Sequence, residues 1–118
     1  MKRKKTYHEE LKNLIDEYVH FVYKITQDFP KSELYGATSQ LRRASLSVIL
    51  NYIEDYARIG EASYKNFLKI SYGSLKESEY LLDFSLKEKY IYDDNYNKGS
   101  KMADRIGGML WGIISNMK

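Results

Sequence analysis

Cysteine is absent from the 118 residues, so neither a disulfide framework nor a thiolate metal site can hold this chain together. Histidine is scarce as well: His8 and His20 are too few for a His-based metal cluster. There is one proline, Pro30, and strand-like alternation is rare. No stretch approaches the roughly 18 apolar residues needed to cross a bilayer. The basic opening, Met1 to Lys5, is not followed by the apolar run of a signal peptide. These absences predict a cytoplasmic protein with no membrane contact, folded by packing alone. The length is enough for one domain over residues 1–118, with 1–5 expected as a flexible basic arm.

What the chain does have is helical periodicity in four stretches. Thr6 and Glu9 have capping-box spacing, in which the hydroxyl accepts a free N–H and the glutamate reaches back. Leu11, Leu14, Ile15, Tyr18, Val22, Ile25 and Phe29 then recur at helical steps, until Pro30 ends the helix. Ser32 is expected to cap the second helix, with Glu33 in its first turn. That helix should run from about Leu34 to Arg58, bend near Gly36 and stop at Gly60. A third, over roughly 61–89, turns Phe67, Leu68, Ser71, Leu75, Leu82 and Phe84 inward. On it Ser71, Gly73, Ser74 and Ser78 are small enough to admit a close neighbour, Ser71 and Ser78 above all, the alternative being that some of them face solvent. Tyr90 to Tyr92 reads as a short extended link and Asp93 as the cap of a fourth helix. Met102, Ala103, Ile106, Met109, Leu110, Ile113 and Met117 form its apolar side. Gly107, Gly108 and Gly112 each cost that helix about 1 kcal/mol relative to alanine, so it depends on tertiary packing. The fold expected is all-α: an antiparallel, up-down-up-down four-helix bundle.

The second helix carries more apolar circumference than a bundle helix needs. At 100° per residue, Gln40, Arg43, Ser47, Asn51, Glu54 and Arg58 fall within a polar sector of roughly 80°. Leu41, Ala44, Ser45, Val48, Tyr52 and Tyr56 line one flank, and Leu46, Ile49, Leu50, Ile53 and Ala57 the other. A bundle helix normally buries a stripe a little over 100° wide, and this arc is roughly twice that. The Leu46–Ala57 flank is therefore expected to be the interface of a cyclic homo-oligomer. The competing reading places this helix centrally within a monomer.

The polar sector also has two readings. One is a structural network of Gln40, Arg42, Arg43, Asn51, Glu54 and Arg58, with Glu54–Arg58 in the favourable acid-first order. The other is a ligand or nucleic-acid contact through Arg43 and Arg58. Arg42 stands within the apolar arc and, if buried, calls for a carboxylate such as Glu77 or Glu79.

Catalytic patterns are missing: there is no Ser-His-Asp order, metal-ligand spacing or Gly-rich phosphate loop. The expectation is a protein that is not an enzyme and takes no cofactor. Both histidines read as surface or rim residues, and Glu77 and Glu79 diverge by about 200° around a helix. A net charge of +3 permits nucleic-acid contact without demanding it. Lys2, Arg3, Lys4 and Lys5 form a basic arm, and Lys65, Lys69 and Lys76 recur on the third helix. Tyr64, Tyr72 and Tyr80 can stack bases if exposed. Against this stands a solvated charged face with tyrosines packed at its edge, and an A/T-rich coding sequence accounts equally for the abundance of Lys, Tyr, Ile and Asn.

The stretch LYGATSQLRRASLSVILNYIEDYAR, Leu34 to Arg58, resembles the signature of a bacterial four-helix bundle family that includes proteins encoded in intervening sequences of 23S ribosomal RNA genes. The shared positions are Leu34, Tyr35, Gly36, Thr38, Ser39, Gln40, Leu41, Arg42, Arg43, Ala44, Ser47, Asn51, Glu54 and Arg58. Phe67, Gly73, Ser74, Leu75, Glu77, Glu79, Tyr90 and Ile91 continue the likeness. Where the family often has Pro-Ala this chain has Ile49 and Leu50, which should straighten the helix, and Asp55 replaces a glycine. The resemblance implies a ring of subunits, with a homopentamer the recurrent state. A similar bundle, the accessory variability determinant of diversity-generating retroelements, works with a reverse transcriptase and binds nucleic acid through a basic surface. By that likeness the expected function is a homo-oligomeric scaffold that binds RNA or DNA electrostatically, as an accessory to such an enzyme. The alternative is a structural or protein-interaction module with no nucleic-acid role.

Overall fold

The computed structural model describes residues 6–58 and 64–116. Four α-helices dominate them: α1 (Tyr7–Thr26), α2 (Ser39–Ala57), α3 (Tyr64–Lys87) and α4 (Asp93–Ser115). No strand occurs among the described residues. Each helix packs on its successor and α4 returns to α1, which closes the antiparallel four-helix bundle that the periodicity predicts. Gly60, Met117 and the expected start of α3 at Glu61 lie outside the described residues.

Local chemistry sets the helix ends. Thr6 accepts from the Glu9 N–H at 3.1 Å while Glu9 accepts from the Thr6 N–H, so the capping box is formed. After Pro30 the chain makes a 3-10 turn, Lys31–Glu33, and a wide turn, Leu34–Thr38, before α2 begins. Gly36 lies outside helical geometry (φ −108°, ψ −116°), and this is the expected bend. The expected cap is displaced: Ser32 lies exposed within the 3-10 turn, and the Glu33 carboxylate accepts from the Ala37 N–H at 3.2 Å. A longer side chain reaches a donor four residues on, which a serine hydroxyl does not. At α4 the cap position belongs to extended Tyr92, and Asp93 is instead the first helical residue. There Asp93 and Asp94 oppose the positive end of the helix dipole. Lys89 (φ 65°) turns the chain after α3 and lets the Tyr90 N–H donate to the Ser85 carbonyl at 2.8 Å.

The core runs through all four helices. Leu11, Ile15, Tyr18 and Val22 of α1 meet Leu41, Val48 and Tyr52 of α2. Leu68, Leu75 and Leu82 of α3, with Ile106 and Leu110 of α4, complete it. Leu14, Phe67 and Phe84 reach only its margin.

Ser71 and Ser78 are fully buried, as their size predicts. Ser71 donates to the Val48 carbonyl at 2.7 Å, drawing α3 close to α2. Ser78 donates to the Leu75 carbonyl, so its oxygen is left to accept from the Tyr18 hydroxyl at 2.8 Å. Gly73 does not share that role: it is exposed, with nothing within 4 Å of where a Cβ would sit. Close approach is instead permitted on α4, where a Cβ at Gly99 would meet Phe21 at 3.0 Å and one at Gly107 would meet Leu75 at 3.3 Å.

Candidate assembly and nucleic-acid interfaces

α2 presents two apolar flanks to different surroundings. Leu41, Val48 and Tyr52 are sealed, whereas Leu50 is 60% and Ile53 42% exposed. Leu46 and Ile49 are half-buried and Ala57 is exposed. The open flank continues into the turn before α2, where Leu34 is half exposed and Tyr35 almost wholly so. Tyr23, Leu34, Tyr35, Arg42, Leu46 and Leu50 line an open groove of about 620 Å³. α2 itself is unbroken from Ser39 to Ala57, since Ile49 keeps the N–H that a proline would lack.

The polar sector is short-range. Gln40 accepts from Arg43, and Glu54 from Arg58 at 2.9 Å. Asn51 donates to both the hydroxyl and the carbonyl of Ser47. Ser47 and Ser74 sit 2.7 Å apart and tie this strip to α3. Arg42 is separate from these contacts, and the carboxylate expected for it is not Glu77 or Glu79. It donates to the Thr26 hydroxyl at 2.8 Å and the Tyr23 carbonyl at 3.5 Å, and its guanidinium lies 4.8 Å from the Tyr23 ring centre. Arg42 points along α2 toward α1, while Glu77 is exposed on α3. Half-buried, the guanidinium keeps enough water to do without a counter-ion.

Of the basic and aromatic residues of α3, Tyr72 and Lys76 lie beside α4. Lys69 and Lys76 are exposed and Lys65 is half-buried. The Lys76 ammonium lies 3.4 Å from Glu79 and 5.2 Å from the Tyr72 ring centre. Burial works against that charge, but Glu79 and Tyr72 outweigh it and hold the Lys76 pKa above its ordinary value. Tyr80 is 65% exposed and Tyr72 is half-buried against Trp111 of α4. Trp111 was not among the residues picked from sequence. Its signal was there, as the single tryptophan on a position beside the apolar stripe of α4. Arg43 is exposed and Arg58 half-buried, its guanidinium 5.3 Å from the Phe67 ring centre. Lys2, Arg3, Lys4, Lys5 and the Tyr64 side chain lie outside the described residues.

At the far end of α2, His8 sits 2.7 Å from the Tyr52 hydroxyl and stacks on Tyr56 with ring centres 3.4 Å apart. Burial, and then Lys12, lowers the His8 pKa. His8 is thus a packed rim residue, and His20 is exposed beside Asp16. One turn along from Tyr52, Asp55 is buried, and its Oδ1 finds no hydrogen-bond partner. That burial raises its carboxyl to about 6 and, with the carboxylate nearby, pushes up Tyr52 as well. Among the described residues, no three His, Asp or Glu side chains gather as they would around a metal ion.

The sequence matches a family model described as 23S rRNA-intervening sequence protein over residues 9–112. Among solved structures, it is similar to a protein of unknown function from the S23 ribosomal protein family of Bacteroides thetaiotaomicron. The TM-score is 0.86 at 20% identity, over 94% of this chain and all of that one, a likeness that speaks for the fold. No curated protein matches.

Proposed function

The chain belongs to the 23S rRNA-intervening sequence protein family, and from that footing we propose a non-enzymatic scaffold that self-associates and carries RNA or DNA on its outer face. Self-association rests on one observation: exposed Leu50 lines one open groove with Leu34, Tyr35 and Leu46, and exposed Ile53 follows three residues further along α2. An apolar patch of that kind on a small protein is typically an interface. A cyclic oligomer covers the same flank in every subunit at once, and five copies is the state the family likeness implies.

Nucleic-acid binding is supported by Lys69 and Lys76 along one side of α3, together with the Lys2–Lys5 arm and Arg43. Ammonium groups attract phosphates without reading bases, and repeating the patch around a ring adds the fields of all copies. In this reading the scaffold serves beside a nucleic-acid enzyme such as a reverse transcriptase. A second reading, a protein-interaction module alone, draws on the Lys76–Glu79 pair, which spends part of the patch's charge internally.

The two separate in light scattering of the chain with and without mixed RNA and DNA, at about 50 and 200 mM salt. The scaffold predicts a multimeric mass throughout and nucleic-acid binding that falls steeply with salt. Replacing Lys65, Lys69 and Lys76 by glutamate should weaken that binding sharply, leaving only the share of Lys2–Lys5 and Arg43, with the mass unchanged. Binding indifferent to salt, or to the triple replacement, would count against the electrostatic mechanism.

A further inference from the structure

We propose that Trp111 and Tyr72 form a stacking platform for the unpaired bases of a single-stranded nucleic acid, with Lys69 and Lys76 meeting its phosphates. This rests on the nucleic-acid reading above and narrows it to strands whose bases are free.

Trp111 is the chain's single tryptophan, and it is 53% exposed. A large aromatic side chain gains most from full burial, yet this one stands at the α3–α4 rim. Tyr72 braces it from α3, the ring centres 5.5 Å apart and tilted by 43°. The Lys76 ammonium lies over Tyr72, so a cation, a phenol and an indole are contiguous. Lys69, Tyr72 and Lys76 follow at three- and four-residue steps and therefore share one face of α3.

The surroundings are bare. Gly108, one turn before Trp111, has nothing within 4 Å of where a Cβ would lie, and the same is true of Gly73 beside Tyr72. No side chain rises from either position to fence off the rings.

This constellation fits an unpaired strand better than a duplex. A duplex stacks its base faces on one another and offers only phosphates, for which lysines alone would suffice. An unpaired base has a free π-face that an indole can cover, whatever the base. Because Glu79 takes part of the Lys76 charge, stacking carries a larger share of the binding than in a purely ionic groove. The lysine contacts keep the binding salt-dependent, and stacking adds to them.

The test uses the full chain and its own fluorescence, which at tryptophan wavelengths reports Trp111 alone. It is titrated with oligothymidylate of about 15 nucleotides, within the usual site-size range, and with a duplex of equal length. Quenching by the single strand and none by the duplex is the expected result. With labelled oligonucleotides, Trp111→Leu should weaken single-strand binding about tenfold and leave duplex binding unchanged. Trp111→Phe should keep part of the affinity and guards against a folding artefact. Equal binding of both forms, without quenching and without effect of Trp111→Leu, overturns the platform while sparing the electrostatic reading. Binding of neither form at low salt overturns both. An emission that shifts with protein concentration alone makes this rim a contact between copies and overturns the platform too.

Discussion

The two flanks of α2 are both largely apolar, yet one is mostly sealed and the other mostly open. Leu41 and Val48 are completely shielded by α1 and α3, whereas Leu50, two residues beyond Val48, is more than half exposed. Hydrophobicity states that a side chain gains from leaving water but not which neighbour will cover it. In a ring of four helices each one touches two others, so roughly half of its circumference is sheltered. A helix that is apolar beyond that half has surface the fold does not use. Contrasting substitutions on the two flanks therefore separate what the fold requires from what an assembly would require.

The largest effect belongs to the sealed flank. Leu41→Ala removes a fully buried side chain facing α1, and the rigid helices around it close the gap only in part. The expected cost is about 2–5 kcal/mol, measured by urea denaturation as a lower midpoint with an unchanged slope. A cost below about 1 kcal/mol would mean that this flank is not the core side of α2.

A smaller effect comes from Asp55, a polar residue on that same sealed flank. Its carboxyl is raised from 3.8 to about 6 because burial disfavours the charged form. Near pH 3 both folded and unfolded chains hold the proton, and Asp55 costs nothing. As pH rises through 4 the unfolded chain ionises first, so stability falls until the folded carboxyl also ionises near 6, and above that the loss is complete. Asp55→Asn imitates the protonated form. It should match the parent near pH 3 and exceed it by about 1–2 kcal/mol at pH 7. His8 titrates close by, so the quantity to follow is the difference between the two proteins across pH 3–8. A difference that stays flat over that range would show that the buried carboxyl is not under strain.

The helices were legible in sequence because their signals are local or periodic. Thr6 and Glu9 announce their cap by spacing, and the α1 stripe lands in the core nearly residue for residue. Ser71 and Ser78 were legible too, since small residues at core positions mean close packing. What stayed open in the sequence needed knowledge of direction. Arg42 calls for a carboxylate only if buried; half-buried, it reaches Thr26 and Tyr23 on α1 instead. Size alone leaves open which of the small residues of α3 face solvent, and Gly73 is one that does. Trp111 went unnoticed because its partner, Tyr72, lies 39 positions away in the chain and 5.5 Å away in space. Local pattern fixes elements, and only the packing of elements decides which side chains meet.

The open flank should give the smallest effect on the fold and the sharpest effect on assembly. Leu50→Glu with Ile53→Glu puts two good helix formers where side chains already face water. Within one chain little contact is lost, so stability at high dilution should change by no more than about 0.5 kcal/mol. A ring of five held through this flank would instead bury ten like charges, two from each copy, and come apart. The discriminating measurement is the thermal midpoint as a function of protein concentration. For an assembling parent it rises with concentration, because association stabilises the folded state by mass action. For the double variant it should be constant, with light scattering at the mass of one chain. If the variant melts as low as Leu41→Ala at every concentration, the open flank belongs to the fold. If its midpoint still climbs with concentration, copies meet elsewhere, and the exposed rim around Trp111 becomes the next surface to charge.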